Sequence, residues 1–410
     1  MFEEPRKSTF RNECASCYTH VMPQAEKNIK LLNLLTFLNG FRAYEGVMAV
    51  YFATIAGSFA IGMTVFALMN LSASFFEVPT GMLSDNIGRK KTLLLYYFSG
   101  TLAILLFYLA ETTSMLIAGA IVTGFSMAMR SGALSAFVYE NLDLLDRKER
   151  FKAVEGKRLA LGRYALVTEG IIGTGIIYLY DIRSAILLTL VVLSVGFIIS
   201  FFIKDIKKFE PRKANIYADI RSAWRGFIND PALRDISIGR MIARGAGNAE
   251  YRFRSLFFAA IMPEWLVNLL GMLNNLISGI AMQTAHWFVK KIGFMRTLVH
   301  IDVLDRILVS VLVAINTFTS GILMNITTSL SFGLREVAAE DLLQSRYSKD
   351  QRATMGSLVG LGGSLVYGIV AIFAGILADH VGLWTTMLLM QPLLLVSSFF
   401  FFRGIKLGKH

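Results

Sequence analysis

Charged residues are scarce in this chain of 410 residues. Asp, Glu, Lys and Arg make up 17% of the sequence, whereas soluble proteins carry about 25%. Hydrophobic residues make up 54%, and apolar stretches of about 20 residues, the length of a membrane-spanning helix, recur along almost the whole chain. No polar face repeats at the helical period in these stretches, which excludes a large soluble helical protein. The sequence therefore predicts an all-α integral membrane protein.

Cysteine is nearly absent, which excludes a disulfide framework. The two cysteines, Cys14 and Cys17, lie in a polar N-terminal tail that lacks the basic-then-apolar order of a cleaved signal peptide. With His20 they form a C-x-x-C-x-x-H cluster, which supplies too few ligands for a closed zinc site. We expect an inert, reduced pair and no metal site, with metal binding or a redox disulfide as the alternative.

Sequence motifs for catalysis and nucleotide hydrolysis are also missing. The chain has no G-x-x-x-x-G-K-[ST] phosphate loop, no His-Glu-x-x-His pair and no Gly-x-Ser-x-Gly elbow. We therefore expect neither an enzyme nor a cofactor. A membrane receptor or scaffold that transports nothing remains an alternative.

Basic residues are concentrated in alternate connections between the apolar stretches, and the opposite connections receive only Arg183. Because positive charge stays in the cytoplasm, both termini are expected there, in a cytoplasmic (inner) membrane. The net charge of +12 then reflects topology, and no nucleic-acid partner is expected. We predict about twelve spans, near residues 30–53, 60–83, 92–110, 114–139, 159–180, 184–203, 236–259, 264–289, 296–316, 319–343, 354–378 and 383–402.

An internal repeat divides the chain into two similar halves. A shift of 205 positions aligns Gly88 with Gly293, Glu45 with Glu250, Arg130 with Arg335 and Gly170 with Gly375. Repeated halves with a site between them are typical of secondary transporters. The predicted organisation is an N-terminal tail (1–29), a six-helix bundle (30–203), a cytoplasmic linker (204–235), a second six-helix bundle (236–403) and a short C-terminal tail (404–410).

The connection after the second predicted span reads G-M-L-S-D-N-I-G-R-K-K over residues 81–91. This stretch resembles the signature of the major facilitator superfamily at the same place, and the segment from Gly375 to Gly382 looks similar. The resemblance implies two pseudo-symmetric six-helix bundles that rock about a central site. It also implies a latch that holds the halves together in the outward-open state, formed by Gly81, Asp85, Gly88, Arg89 and Lys90. The alternative is a basic turn that only sets topology.

The resemblance further implies that the first, fourth, seventh and tenth helices line the central cavity. All four carry arginine, whose planar guanidinium suits a carboxylate or phosphate. We therefore predict an anionic or zwitterionic small-molecule solute. In the alternative, the arginines only pair with nearby acids, as buried ion pairs often do. The candidate solute-binding residues are Arg42, Arg130, Arg244, Arg252, Arg335, Tyr44, Asn248 and Tyr251.

Acids within the spans are candidates for coupling transport to protons or to another ion. A carboxyl in a low dielectric can load and release a proton, although each acid could instead pair with an arginine. The candidates are Glu45, which could share a helix face with Arg42, Glu169, which could pair with Arg130, Glu250 and Glu336. Proton-driven multidrug efflux is an alternative. The resemblance implies that proton antiporters of the family often carry an arginine early in the fourth helix and a Gly-Pro motif in the fifth. Here Gly119 stands near the first place, and the fifth span lacks the proline. We expect a monomer in the lipid bilayer.

Overall fold

The computed structural model describes residues 15–130, 133–205, 227–347 and 352–408. This part of the chain is almost entirely helical and contains no β-strand. The α-helices are α1 (Ala15–Gly40), α2 (Met48–Ala56), α3 (Phe59–Ile87), α4 (Arg89–Tyr108), α5 (Thr113–Arg130), α6 (Ala133–Leu144), α7 (Phe151–Leu179), α8 (Ile182–Ser200), α9 (Pro231–Ala259), α10 (Glu264–Met295), α11 (Ile301–Ile315), α12 (Phe318–Arg346) and α13 (Arg352–Leu407).

The helices form about twelve spans, because α1 with α2 and α5 with α6 each make one span and α13 makes two. In the described part of the chain, five helical stretches are long and apolar enough by themselves to cross a membrane: Phe59–Glu77, Arg89–Tyr108, Thr113–Leu144, Ile182–Ser200 and Thr354–Leu407. The first helix begins by Ala15, well before the predicted start at residue 30. Most of the predicted linker, residues 206–226, lies outside the described residues, as does Cys14.

The spans have two ends, which we call the terminal face and the far face. At the terminal face the Asn28 amide donates to the Lys204 carbonyl at 2.9 Å, and Arg346 donates to the Gly408 carbonyl at 2.9 Å. At the far face Arg183 donates to the Ala110 carbonyl at 3.0 Å. The chain therefore enters its first span and leaves its last span at the same face.

Two glycines make the same tight turn at equivalent points of the two halves. Gly88 has φ +87° and ψ 164°, and Gly293, aligned with it by the 205-residue shift, has φ +81° and ψ 164°. These dihedrals lie outside the regions that residues with a Cβ occupy readily. The repeat seen in the sequence is therefore present in the backbone.

The first span is not a continuous helix, contrary to the prediction over 30–53. Helix α1 ends at Gly40 and regular α-helix resumes at Met48. Polar backbone groups freed within a membrane must find partners inside the protein. The Ala43 N–H donates to the Thr189 hydroxyl at 3.0 Å, and the Gly46 N–H donates to the Asn268 side-chain oxygen at 3.1 Å.

The two halves meet towards the far face. Tyr178 and Trp265 make an edge-to-face contact between the fifth and eighth spans, with ring centroids 5.7 Å apart. Among the described residues, every hydrogen bond and ion pair between the halves joins residues 43–60 or Thr174 to residues 252–268 or Asp379. The far face is therefore closed in this conformation.

The interruption of the first span depends on a small residue opposite it. A Cβ at Gly173 would come within 2.0 Å of the Ala43 carbonyl oxygen, whereas a Cβ at Gly175 would meet no atom within 4 Å. We expect Gly173→Ala to displace the interrupted segment and to lower the melting temperature in detergent. Gly175→Ala on the same helix is the matched control and should leave stability unchanged or slightly higher, since alanine favours helix. Equal melting temperatures for the two variants would contradict this account.

Candidate functional site

A cavity of about 580 Å³ lies between the halves, against the interrupted first span. Most of its wall comes from the first half, from the first, third, fourth and fifth spans. The second half contributes Tyr251, Arg252 and Asn275. The wall includes Ser135 and Arg158, which lie on the terminal-face side of their spans. The cavity therefore extends towards the terminal face, where the described residues form no hydrogen bond between the halves.

The wall of this cavity carries a surplus of positive charge. Five arginines line it, and Glu45 is the acid among the lining residues. Two of the arginines have carboxylate partners, since Arg252 pairs with Glu45 and Arg158 with Glu155. No carboxylate of the described residues lies within ion-pair distance of the other three lining arginines, which are Arg42, Arg130 and Arg163.

The Glu45–Arg252 ion pair connects the two halves at the closed end of the cavity. One Arg252 nitrogen lies 2.5 Å from Glu45 Oε1, and another donates to the Glu45 carbonyl at 3.4 Å. The guanidinium also stands 4.9 Å from the centroid of the Phe66 ring, within cation–π range. Glu45 was expected to share a helix face with Arg42. The interruption of the helix removes that face, and Glu45 pairs across the halves instead.

Tyrosine hydroxyls are buried beside these charges. Tyr44, Tyr96 and Tyr97 line the cavity, and none of their hydroxyls has a hydrogen-bond partner among the described residues. Arg42 and Arg130 line the same cavity. A buried donor without an acceptor is costly, and an oxyanion beside Arg130 would supply acceptors. Tyr96 and Tyr97 were not among the predicted site residues.

Glu169 lies on the fifth span, behind the interrupted segment. The residue is 4% exposed, and its Oε2 has no hydrogen-bond partner among the described residues. The charges of Glu45 and Arg42 act on its carboxyl, which lies against the Arg42 backbone. The alternative in which Glu169 pairs with Arg130 is therefore wrong for this conformation. Glu169 and Glu45 form the acidic part of the site.

Three residues that were expected to line the cavity lie elsewhere. Arg335 forms an ion pair with Asp302, which also accepts from Arg306 at 3.2 Å. Arg244 and Asn248 are exposed on α9 and do not line the cavity. For Arg335 the physical reason is its ion pair with Asp302, which holds it within the second half.

Two of the expected proton carriers also pair within the second half. Glu250 is 3% exposed and forms an ion pair with Arg254 one helical turn away, with an N–O distance of 3.3 Å. Glu336 accepts two hydrogen bonds of 2.6 Å from Arg240, at the terminal-face end of α12. Neither acid lines the cavity. Of the four candidate proton carriers, Glu45 lines it and Glu169 lies behind the interrupted segment that forms part of its wall.

The residues 81–91 lie at the terminal face, as expected. Arg89 Nε donates to Glu140 at 3.1 Å within the first half, and the Lys90 N–H donates to Asp205 at 3.0 Å. A Cβ at Gly81 would meet no atom within 4 Å. The side chain of Asp85 lies outside the described residues. The latch itself stays a prediction.

Two further arginines of the cavity were not among the predicted site residues. The predicted fifth span starts at residue 159, which placed Arg158 in the connection before it, but the helix already begins at Phe151 and carries Arg158 to the cavity. Arg163 lies within the predicted span 159–180. The rarity of charged residues inside spans, which singled out Glu169, could equally have singled out Arg163.

Known proteins with a similar sequence or fold identify the family of this chain. The chain matches the Major Facilitator Superfamily over residues 32–402, and no curated protein sequence matches it. Among solved structures it is similar to the nucleoside transporter NupG, with 12% identity, a TM-score of 0.77 and coverage of 94% of this chain and 99% of that chain. It is also similar to the POT family transporter PepTSo, with 11% identity, a TM-score of 0.74 and coverage of 93% and 98%.

A third similar structure is a bacterial homologue of the human lysosomal transporter Spinster in an inward-facing, unoccupied conformation. Identity is 13%, the TM-score is 0.73, and the match covers 96% of this chain and 98% of that chain. Identities this low establish a shared fold and leave the solute open. The chain belongs to the Major Facilitator Superfamily, whose members are integral, multi-pass membrane transporters, and the fold expected from its sequence is confirmed.

Proposed function

We propose that this protein moves a small anionic or zwitterionic solute across the membrane by rocking its two halves, coupled to protons. The observation that carries the proposal is the surplus of arginine in the cavity: five arginines line it, and three of them, Arg42, Arg130 and Arg163, have no carboxylate partner among the described residues. Arg42 is partly buried, and Arg130 and Arg163 are exposed to the solvent of the cavity, so a solute can reach all three guanidinium groups and pair with them by charge-assisted hydrogen bonds. A negatively charged solute would supply the missing partners, whereas a lipophilic cation would add to the repulsion.

The proposed orientation places the terminal face in the cytoplasm of a cell with an inner membrane. The basic connections, among them Arg89–Lys91 and the stretch from Arg147 to Arg150, lie at this face. The structure is then the inward-open state, closed towards the outside. The 81–91 turn would hold the opposite, outward-open state through Asp85 and Arg89.

The Glu45–Arg252 pair suggests how solute and proton could be coupled. A solute carboxylate or phosphate that enters the cavity meets Arg252 already occupied by Glu45, at 2.5 Å. If the solute takes Arg252, Glu45 is left without its cation in a poorly hydrated site. A neutral carboxyl is cheaper to bury than a charged one, so displacement favours proton uptake by Glu45 or by Glu169 beside it.

The first test uses proteoliposomes and a panel of labelled monocarboxylates, dicarboxylates, phosphate esters, amino acids, a nucleoside and a quaternary ammonium dye. We expect flux of an acidic solute in the native protein. The solute should bind more weakly to Arg130→Lys, because lysine keeps the positive charge but lacks the planar, bidentate guanidinium group. Such a contact contributes about 1.5–3 kcal/mol, so binding should weaken roughly ten- to a hundredfold.

Arg244→Lys is the matched control for Arg130→Lys, because Arg244 is exposed and does not line the cavity. Its solute affinity should equal that of the native protein. Tight binding of the quaternary ammonium dye, unchanged in Arg130→Lys, would overturn the anionic assignment in favour of multidrug efflux.

The second test addresses coupling. Glu169→Gln removes the titrating group and preserves its shape, so flux driven by an imposed pH gradient should vanish while solute exchange without a gradient persists. Glu111→Gln, on an exposed connection of the first half, is the control and should behave as the native protein. Undiminished pH-driven flux in Glu169→Gln, in Glu45→Gln and in the double variant would show that neither acid carries the proton.

A further inference from the structure

One side chain of the second half caps a helix of the first half at the far face. Asp379, near the end of the eleventh span, accepts from the Phe59 N–H at 2.8 Å through Oδ1. Its Oδ2 accepts from the Ala60 N–H at 3.1 Å and from the Ser58 hydroxyl at 2.6 Å. The carboxylate therefore holds the first residues of α3, the second span.

These contacts complete the hydrogen bonding of the α3 N-terminus. The first N–H groups of a helix have no partner within the helix. Ser58 Oγ accepts from Ile61 at 3.3 Å, and Asp379 supplies acceptors for the two N–H groups before it. The negative carboxylate also faces the positive end of the helix dipole. The carboxylate that accepts from the Phe59 and Ala60 N–H groups thus comes from the second half of the protein.

The sequence around Asp379 repeats the pattern at the terminal face. Residues 375–382 read G-I-L-A-D-H-V-G and residues 81–88 read G-M-L-S-D-N-I-G, so both fit G-x-L-x-D-x-x-G. Each pattern ends in a glycine with the same turn, φ +87° at Gly88 and φ +82° at Gly382. The first pattern ends the second span at the terminal face, and the other ends the eleventh span at the far face.

Close packing of the second and eleventh spans brings the Asp379 carboxylate within hydrogen-bond distance of the α3 N-terminus. A Cβ at Gly375 would lie 2.6 Å from the Ala60 Cα, and a Cβ at Gly368 would lie 3.2 Å from the Leu71 side chain. Glycine at these positions lets the eleventh span approach the second along its far-face half. The aspartate four residues after Gly375 then reaches the first turn of α3.

We propose that Asp379 is a far-face latch, which holds the outer entrance closed while the cavity is open to the terminal face. The inference rests on the proposed transport by rocking halves, since a latch is needed only if this face opens. Opening moves the start of α3 away from the eleventh span and breaks all three hydrogen bonds to Asp379 together. The second and eleventh spans would then carry one such aspartate at each face.

The latch is weak enough to open. Replacing a capping aspartate by alanine typically changes an equilibrium by about two- to thirtyfold. Asp379 is exposed, so solvent screening places the effect towards the lower end. We therefore expect Asp379→Ala to shift the ratio of closed to open far face by about three- to tenfold. Asp379→Asn keeps one acceptor and should give a smaller shift in the same direction.

The experiment measures the far-face distance directly in the purified, full-length protein in lipid nanodiscs. Spin labels are placed at Glu111→Cys in the first half and Asn316→Cys in the second, both on exposed far-face connections, with Cys14 and Cys17 replaced by serine. Pulsed electron–electron double resonance should show a dominant short distance between the two labels in the protein with native Asp379. Asp379→Ala should add a longer component.

Asp181→Ala is the matched control. Asp181 also caps a helix at the far face, accepting from the Ser184 N–H at 2.7 Å, but it caps α8 within its own half. Its distance distribution should equal the native one. An unchanged distribution in Asp379→Ala, or an equal change in Asp181→Ala, would overturn the latch.

This readout separates the latch from the transport proposal. Unchanged distances in Asp379→Ala together with normal solute flux would refute the latch and leave transport intact. A lengthened distance together with no flux of any solute in the native protein would support the latch and refute the proposed function.

Discussion

The interruption of the first span at residues 41–44 constrains the rest of the site. Backbone groups cannot be left unpaired inside a membrane, so the interrupted segment is held by Thr189 in its own half and by Asn268 in the other. Gly173 leaves the space for it. This arrangement places Arg42 on the cavity and turns Glu45 towards the second half, where it finds Arg252.

The two halves use equivalent charged residues differently. Glu45 aligns with Glu250 and Arg130 with Arg335. In the second half Glu250 and Arg335 have partners in their own half, Arg254 and Asp302. Removing one partner of a buried pair typically costs about 3–5 kcal/mol because the other charge is left uncompensated, so each of these charges depends on its partner in the same half. In the first half Arg130 lines the cavity and has no carboxylate partner among the described residues, which makes it the main candidate for the proposed solute contact.

The contacts between the halves are compatible with the proposed exchange between two conformations. The far-face interface combines glycine-mediated packing, as between Gly375 and Ala60, with hydrogen bonds and the Glu45–Arg252 pair. Two states that interconvert must differ by only a few kcal/mol. Weak, separable contacts such as an exposed helix cap meet that requirement better than an extensive buried network would.

The sequence by itself determined that the chain is a membrane protein with about twelve spans in two halves and a turn at residues 81–91. These features could be read from the sequence because hydropathy, charge placement and glycine spacing are local properties of the chain. It also singled out Arg42, Arg130, Arg252, Glu45 and Glu169, since charges inside spans are rare. Only the tertiary structure decided which of these charges are paired. Pairing depends on which helix faces which, and on a break in the first span that composition does not reveal. For that reason Arg335, Glu250 and Glu336 proved to have partners within their own half, and Asp379 proved to cap a helix more than 300 residues away in sequence.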